Sequence, residues 1–217
     1  MPVTELAHFL LKHPYRSSHP SILSALPTAK KVLERASGCK FHFFSVSPNG
    51  SEASEVYILG HWQSVAAHQA FLPSEENQEL LKLVEGLLDV EWMFHLDDQK
   101  VFGTEGGDEA REVLDAMATN EDGMKLVRVS LADENDRGDE GCALGEKRAD
   151  FEGRIVKWYG SERSTRRRWP MVLGHRVEKD EGRDEAVILL PNIDPDQQSD
   201  LFEGTEVQHL WRMPLGE

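Results

Sequence analysis

Three of the nine histidines in this 217-residue chain stand where an imidazole could move a proton. His8 lies amid Leu and Phe in "ELAHFLLK". In so apolar a setting a neutral imidazole can accept a proton from an acidic phenol or an activated methylene, because its pKa lies near working pH. The competing reading is a strand histidine bonded to a backbone carbonyl. His61 in "EVYILGHW" and His95 in "VEWMFHLD" also fall on strand-like runs. With a period of two, His42 shares a face with Phe44 and Val46, His61 with Tyr57 and Leu59, and His95 with Glu91 and Met93. If the two later strands turn these faces to one cavity, His61 and His95 meet there as further acid/base candidates. Tyr57, Trp62, Phe44 and Leu10 would then wall a site for an apolar substrate. Trp62 has a second reading, as a bulky strand-end residue locking the sheet to the next helix, and His68 in "SVAAHQAF" is expected to pack or cap.

Other chemistries lack their residues. The chain has no GxGxxG after a strand, no Walker loop, no GxSxG elbow, no HExxH and no metal-spaced Cys/His set. Nicotinamide, flavin, nucleotide and zinc are therefore not implied, and no metal is expected. Asp97-Asp98 and Asp194-x-Asp196 are weak metal patterns. The basic run "RSTRRRW" (163–169) reads as a solvated cluster at a helix end, with phosphate or carboxylate binding as its alternative. A net charge of −15 disfavours nucleic acid and anionic membranes as partners. Cys39 and Cys142 form no disulfide framework and fit a reducing compartment. The N-terminal "MPVTELAHFLLKHP" lacks the basic region of a signal peptide, and no run reaches the ~18 apolar residues of a span. The expectation is a cytoplasmic chain.

The elements that must position these residues alternate. A strand is expected over Thr4–Lys12. A helix follows in "PTAKKVLERASG", with Pro27 in its first turn and Gly38 just past its end. Strands follow at Lys40–Ser47 and Glu55–Trp62. Helical periodicity then runs through 64–88, with Leu80, Leu81, Val84, Leu87 and Leu88 on one face and a start signal at Ser74, before the strand "DVEWMFHLD". The order β-α-β-β-α-β is the ferredoxin-like pattern.

The second half reads alike. A linking helix is expected near Arg111–Gly123 and a strand over Met124–Leu131. An Asp/Glu/Gly-rich loop of high mobility spans 132–147, and a helix carries Phe151, Ile155, Val156 and Tyr159. "MVLGHRV", "EAVILLP" and "EVQHLWRM" give three more strands, with only "NIDPDQQSDLFEG" in place of a second helix. Phe41 to Val172 and Val56 to Val187 are each 131 residues, and Val90 to Val207 is 117. A diverged duplication is expected, with units at 1–98 and 124–217 around a linker at 99–123. A lone βαββαβ sheet leaves one apolar face bare, so the two sheets should cover each other. The fold class is α+β: two ferredoxin-like units in tandem, closed as an intrachain, pseudo-dimeric α/β barrel.

The stretch "VYILGHWQSVAAHQAFLPSEENQELLKLVEGLLDVEWMFHLD", with Trp62, Ser64, His68, Phe71 and His95, resembles the dimeric α/β-barrel superfamily. In particular it resembles tandem antibiotic-biosynthesis-monooxygenase-like (ABM) proteins of fungal type. The resemblance is close over 4–97 and weak over 124–214. It implies a family of cofactor-free monooxygenases, polyketide cyclases, heme-degrading enzymes, lactone isomerases and members without known activity, so it fixes fold more than reaction. Cyclases of this superfamily carry an important histidine in a similar first strand, which His8 matches. Their second histidine falls where this chain reads "PSEE". A tryptophan in the region of Trp62 flanks the aromatic substrate in ABM monooxygenases, and His95 matches a position that is usually structural. The implied function is a cofactor-independent enzyme of secondary metabolism. It would cyclise, isomerise or monooxygenate an apolar aromatic or polyketide-type intermediate, with His8 as first acid/base and His61 and His95 as second candidates. Heme enters only by family analogy. The partners expected are a small apolar organic substrate and a second copy in a homodimer. The alternative is a non-catalytic hydrophobic-ligand-binding or assembly module on the same barrel.

Overall fold

The computed structural model describes residues 2–47, 53–102, 110–120, 122–131, 149–156, 170–178, 185–192, 205–213 and 215. Strand β1 (Val3–Leu11) is buried along nearly its whole length, which requires cover on both faces. Helix α1 (Pro20–Ser37) starts earlier than Pro27 suggested. Pro20 takes the first helical position, the His19 side chain accepts the Ser21 N–H, and Pro27 sits inside the helix. Ile22, Ala25, Leu26, Ala29 and Leu33 form its buried stripe, and Gly38 ends it at φ 68°.

Strands β2 (Phe41–Ser45) and β3 (Glu55–Trp62) form the first hairpin. The long helical run expected after β3 is two helices, α2 (Val65–Phe71) and α3 (Glu75–Val84). Ser64 and Ser74 each cap an N–H three residues on, which restarts the chain at Ser74. Leu81 of the expected apolar stripe is 47% exposed, and Leu88 opens a strand instead. That strand, β4 (Leu88–Phe102), runs on through 99–102, residues expected in the linker. Helix α4 (Ala110–Ala118) and β5 (Met124–Ser130) follow. Helix α5 (149–156), β6 (Met171–Arg176), β7 (Glu185–Pro191) and β8 (Glu206–Arg212) complete the described elements. The acidic loop at 132–147, Tyr159, the basic run at 163–169 and all but the first residue of the shortened-helix stretch lie outside the described residues.

The eight strands close a barrel in the order β1-β3-β2-β8-β5-β7-β6-β4. In the first half the order is β4-β1-β3-β2 and in the second β8-β5-β7-β6, so fourth, first, third and second strands neighbour one another in both. The halves meet at two seams, where β2 pairs β8 and β4 pairs β6, both antiparallel. Leu6, Phe44, Leu59, Phe94, Leu126, Leu189 and Leu210 meet in one interior, and α4 adds Val113, Leu114 and Met117. A second layer packs α1 to α3 on the outside of β1, β2 and β3, and a third packs α5 on β5, β6 and β7. Both halves thus share one core.

Strand pairing corrects the internal offsets. Phe43 faces Ile58 and Leu173 faces Ile188, so equivalent residues lie 130 apart, not 131. An odd offset equates residues on opposite faces: Phe41 belongs to the outer layer and Val172 to the interior. In the same frame Leu6 pairs Phe94 and Leu126 pairs Gln208, which makes the last offset 114 rather than 117.

Candidate functional site

Alternation along the strands sends the three expected histidines to three places. His8 points into one end of the barrel. Its Nε2 lies 3.1 Å from a carboxylate oxygen of Glu55, which also accepts the Tyr57 hydroxyl at 3.3 Å. The ring stacks on Tyr57 at 4.3 Å and 14°, and Trp92 tilts against it at 5.4 Å. Its other nitrogen, Nδ1, is buried and has no hydrogen-bond partner among the described residues. Across the strands His8 pairs Tyr57, and Tyr57 pairs Phe44, so three of the expected site residues adjoin. Leu10, 38% exposed, stands two residues along β1 toward the rim. The Arg128 guanidinium lies 4.6 Å over Trp92 and donates to Glu185 at 2.6 Å. Arg176 lies 5.1 Å over Phe94. This end of the barrel is an aromatic plate with two guanidiniums above it.

His61 points into the opposite end. Its Nδ1 is 3.1 Å from the Thr4 hydroxyl and its Nε2 3.5 Å from Asp115 of α4, whose same oxygen is 2.7 Å from His42 Nε2. Burial alone would raise the Asp115 pKa, but the hydrogen bonds and charge of His42 and His61 outweigh it and hold the carboxyl far below its usual range. A cavity of about 140 Å³, lined by Thr4, His61, Asp97, Gln99 and Arg111 among others, opens beside it. That is below the roughly 300 Å³ at which pockets for drug-sized ligands begin, and it reaches only one of the three expected histidines.

The Asp115 contact latches α4 to the barrel and carries a pH signature. A carboxyl whose folded pKa is depressed stabilises above its unfolded value, near 3.8, and loses that contribution as pH falls below it. Asp115→Asn should therefore lower stability at pH 7 by about 1.5–3 kcal/mol, the value of a hydrogen bond to a charged group. Below pH ~4 the gap between the variant and the wild type should narrow progressively, closing only as pH falls through the depressed folded pKa. Thermal melts from pH 7 to 2 measure this, and parallel curves across the acid range would count against it.

His95 faces outward and does not meet His61. The pairing of β1 with its two neighbours shows why: Thr4, opposite His61, faces the interior, whereas Glu5, opposite His95, faces the helices. In that outer layer a chain of polar groups runs from the buried Trp62 to the part-exposed Glu178. Trp62 Nε1 donates to Glu5 at 2.5 Å, and the same Glu5 oxygen is 3.4 Å from His68 Nδ1. His68 Nδ1 is 2.8 Å from His95 Nε2, and His95 Nδ1 bonds Glu178, which also accepts the His95 backbone N–H at 2.8 Å. Glu5, Trp62, His68 and His95 are each 5% exposed or less. Burial raises the Glu5 pKa to about 7 against the opposing pull of the Trp62 N–H. Burial, with the charge of His95, lowers that of His68 to about 4. The indole stacks on His68 at 4.6 Å and packs on Phe41 and Phe71, so Trp62 locks β3 to α2 rather than walling the His8 site. Sequence reasoning passed over Glu5. Its signal was a lone acid in register with Val3, Ala7 and Phe9 on an apolar strand.

No family model matches the chain, and no curated protein matches it in sequence. Solved structures do. A "putative monooxygenase" from Fusobacterium nucleatum aligns with a TM-score of 0.56 at 11% identity, over 97% of this chain and 92% of that one. One from Lactobacillus acidophilus aligns at 0.53 and 9%, over 97% and 93%. A chlorite dismutase variant from Candidatus Nitrospira defluvii aligns at 0.56 and 12%, over 99% and 92%. At such identities the likeness shows the fold alone, a closed eight-stranded barrel with helices packed outside it. Among the described residues no helix is long and apolar enough to cross a membrane. Heme is implied for this chain only by the resemblance stated from its sequence. The buried group of two imidazoles and a carboxylate suits one small ion better than a porphyrin iron, whose axial imidazole needs an open face.

Proposed function

We propose that this chain is an ABM-like enzyme in which His8 is the general base, acting on a planar apolar molecule at the aromatic end of the barrel. The reading also takes the repeated strand order as two tandem ferredoxin-like βαββαβ units, at 1–98 and 124–217 around the linker. The observation that carries it is His8: one ring nitrogen on Glu55, the other buried without a partner, the ring stacked on Tyr57. With Nε2–H donating to Glu55, Nδ1 carries the lone pair, and Glu55 stabilises the imidazolium that forms. Arg128 over Trp92 places positive charge where a phenolate or enolate would develop. The part-buried Trp92 gives an aromatic surface that suits an aromatic or polyketide-type ring.

Cyclisation, isomerisation and cofactor-free monooxygenation can all begin with removal of such a proton. The monooxygenase names of two structural neighbours support an enzyme, and the secondary-metabolism setting is part of the proposal. The test uses chelator-treated full-length protein in D₂O with a cyclic 1,3-diketone and with an anthrone. Exchange at the acidic carbon is followed by NMR and oxygen uptake in parallel. Exchange above that of an equal concentration of imidazole supports the reading. Tight binding of both probes without exchange would overturn it in favour of a hydrophobic-ligand module.

A further inference from the structure

On the other face of β1, we propose that Glu5, His68 and His95 bind a single divalent first-row transition-metal ion, with Glu178 orienting His95. Each residue offers one ligand atom, and the three atoms lie within 4.8 Å of one another although they come from β1, α2 and β4. Bonds of about 2.05 Å to a tetrahedral ion put ligand atoms about 3.3 Å apart. His68 Nδ1 and Glu5 already stand at 3.4 Å, and the two imidazole nitrogens at 2.8 Å need open by only about half an ångström.

The surrounding bonds preset the donors. Glu178 accepts from both the ring Nδ1 and the backbone N–H of His95, which fixes the tautomer so that the Nε2 lone pair faces the group. The Trp62 N–H holds the Glu5 carboxylate in place. Protons alone serve this geometry poorly. His95 Nε2 and His68 Nδ1 can share one hydrogen, and Glu5 then faces them at the edge of hydrogen-bond reach. One cation would satisfy all three donors at once. Two imidazoles and a carboxylate are the set that suits zinc, cobalt or iron(II), and not the all-oxygen shell of calcium or magnesium. A fourth coordination position would remain for water. No local motif marks it, because its ligands sit at positions 5, 68 and 95. The site is separate from His8, which faces the interior.

The test is a calorimetric titration of chelator-treated full-length protein with Zn(II) alone, repeated with Co(II) and read by visible absorption. One ion per chain is expected. Affinity should fall at least 100-fold in Glu5→Gln and in His95→Gln, and about 10- to 100-fold in Glu178→Gln. His61→Gln should still bind one ion. Zinc absorption spectroscopy on the wild type, which needs no variant to fold, should find two imidazoles in the shell. No binding at millimolar Zn(II), an oxygen-only shell, or undiminished binding in both Glu5→Gln and His95→Gln would overturn the proposal.

Discussion

His8→Ala should slow carbon-acid exchange of a 1,3-diketone by about 10²- to 10⁴-fold, the usual contribution of a positioned general base. The loss should fall on kcat with KM little changed, because the aromatic surface that holds a flat substrate, Trp92 backed by Tyr57, stays in place. The two neighbours of the imidazole predict graded effects. In Glu55→Gln the amide can still accept from Nε2, but the imidazolium loses its counter-charge. Its rate should fall by about tenfold, as expected for a group that orients a base. Tyr57→Phe removes one donor to Glu55 and keeps the stack, so it should cost less than Glu55→Gln. His209→Gln, in the second half and bonded to Asn192, should leave exchange unchanged. If His8→Ala exchanges at the wild-type rate while binding the probe equally well, the imidazole is a packed strand residue and the proposed chemistry fails.

The parts of this arrangement visible in the sequence are those set by local period. β3 was legible to the residue, since "EVYILGHW" is bounded by turn formers and alternates faces, and Ser74 announced the start of α3. The closure of the barrel followed from the bare face of a single βαββαβ sheet. Phe44 and Tyr57 sit side by side because they belong to one hairpin, whereas the register that sets His8 against Tyr57 joins strands far apart in the chain. Failures came where one residue of register reverses a side chain, or where partners are far apart in the chain. The 131-residue offset equated an outward Phe41 with an inward Val172. Assigning His61 and His95 to one cavity required a register between β1 and both its neighbours that no local pattern supplies. Glu178 meets His95 across 83 residues, and nothing in either stretch of sequence points to the other.

Gly123→Ala should destabilise the chain by about 3–5 kcal/mol, because it combines two separate strains. Gly123 has φ 75°, a conformation that costs an L-residue about 1–2 kcal/mol. A methyl group there would also drive into the main-chain carbonyl of Leu210 on β8, which cannot swing aside as a side chain would. The alternative is to move β8, and β8 is poorly placed to move. It pairs β5 along Met124 to Arg128 and, among the described residues, closes the barrel on β2 through a short seam, Phe44 with Arg212 and Ser45 with Trp211, continued by the Met213 N–H donating to the Phe43 carbonyl. Displacing it would open the interior at Met124 and Leu210, which are 0% and 1% exposed. Gly38→Ala isolates the two strains. Gly38 has φ 68° but nothing within 4 Å of an added Cβ, so it should lose only the conformational part, about 1 kcal/mol. At roughly 2–4 °C per kcal/mol for a chain of this size, Gly123→Ala should melt on the order of 10 °C lower and Gly38→Ala about 3 °C lower. Equal melting points for the two would mean that β8 yields freely at this contact, and the short β2–β8 seam would then not be the constraint that closes the barrel.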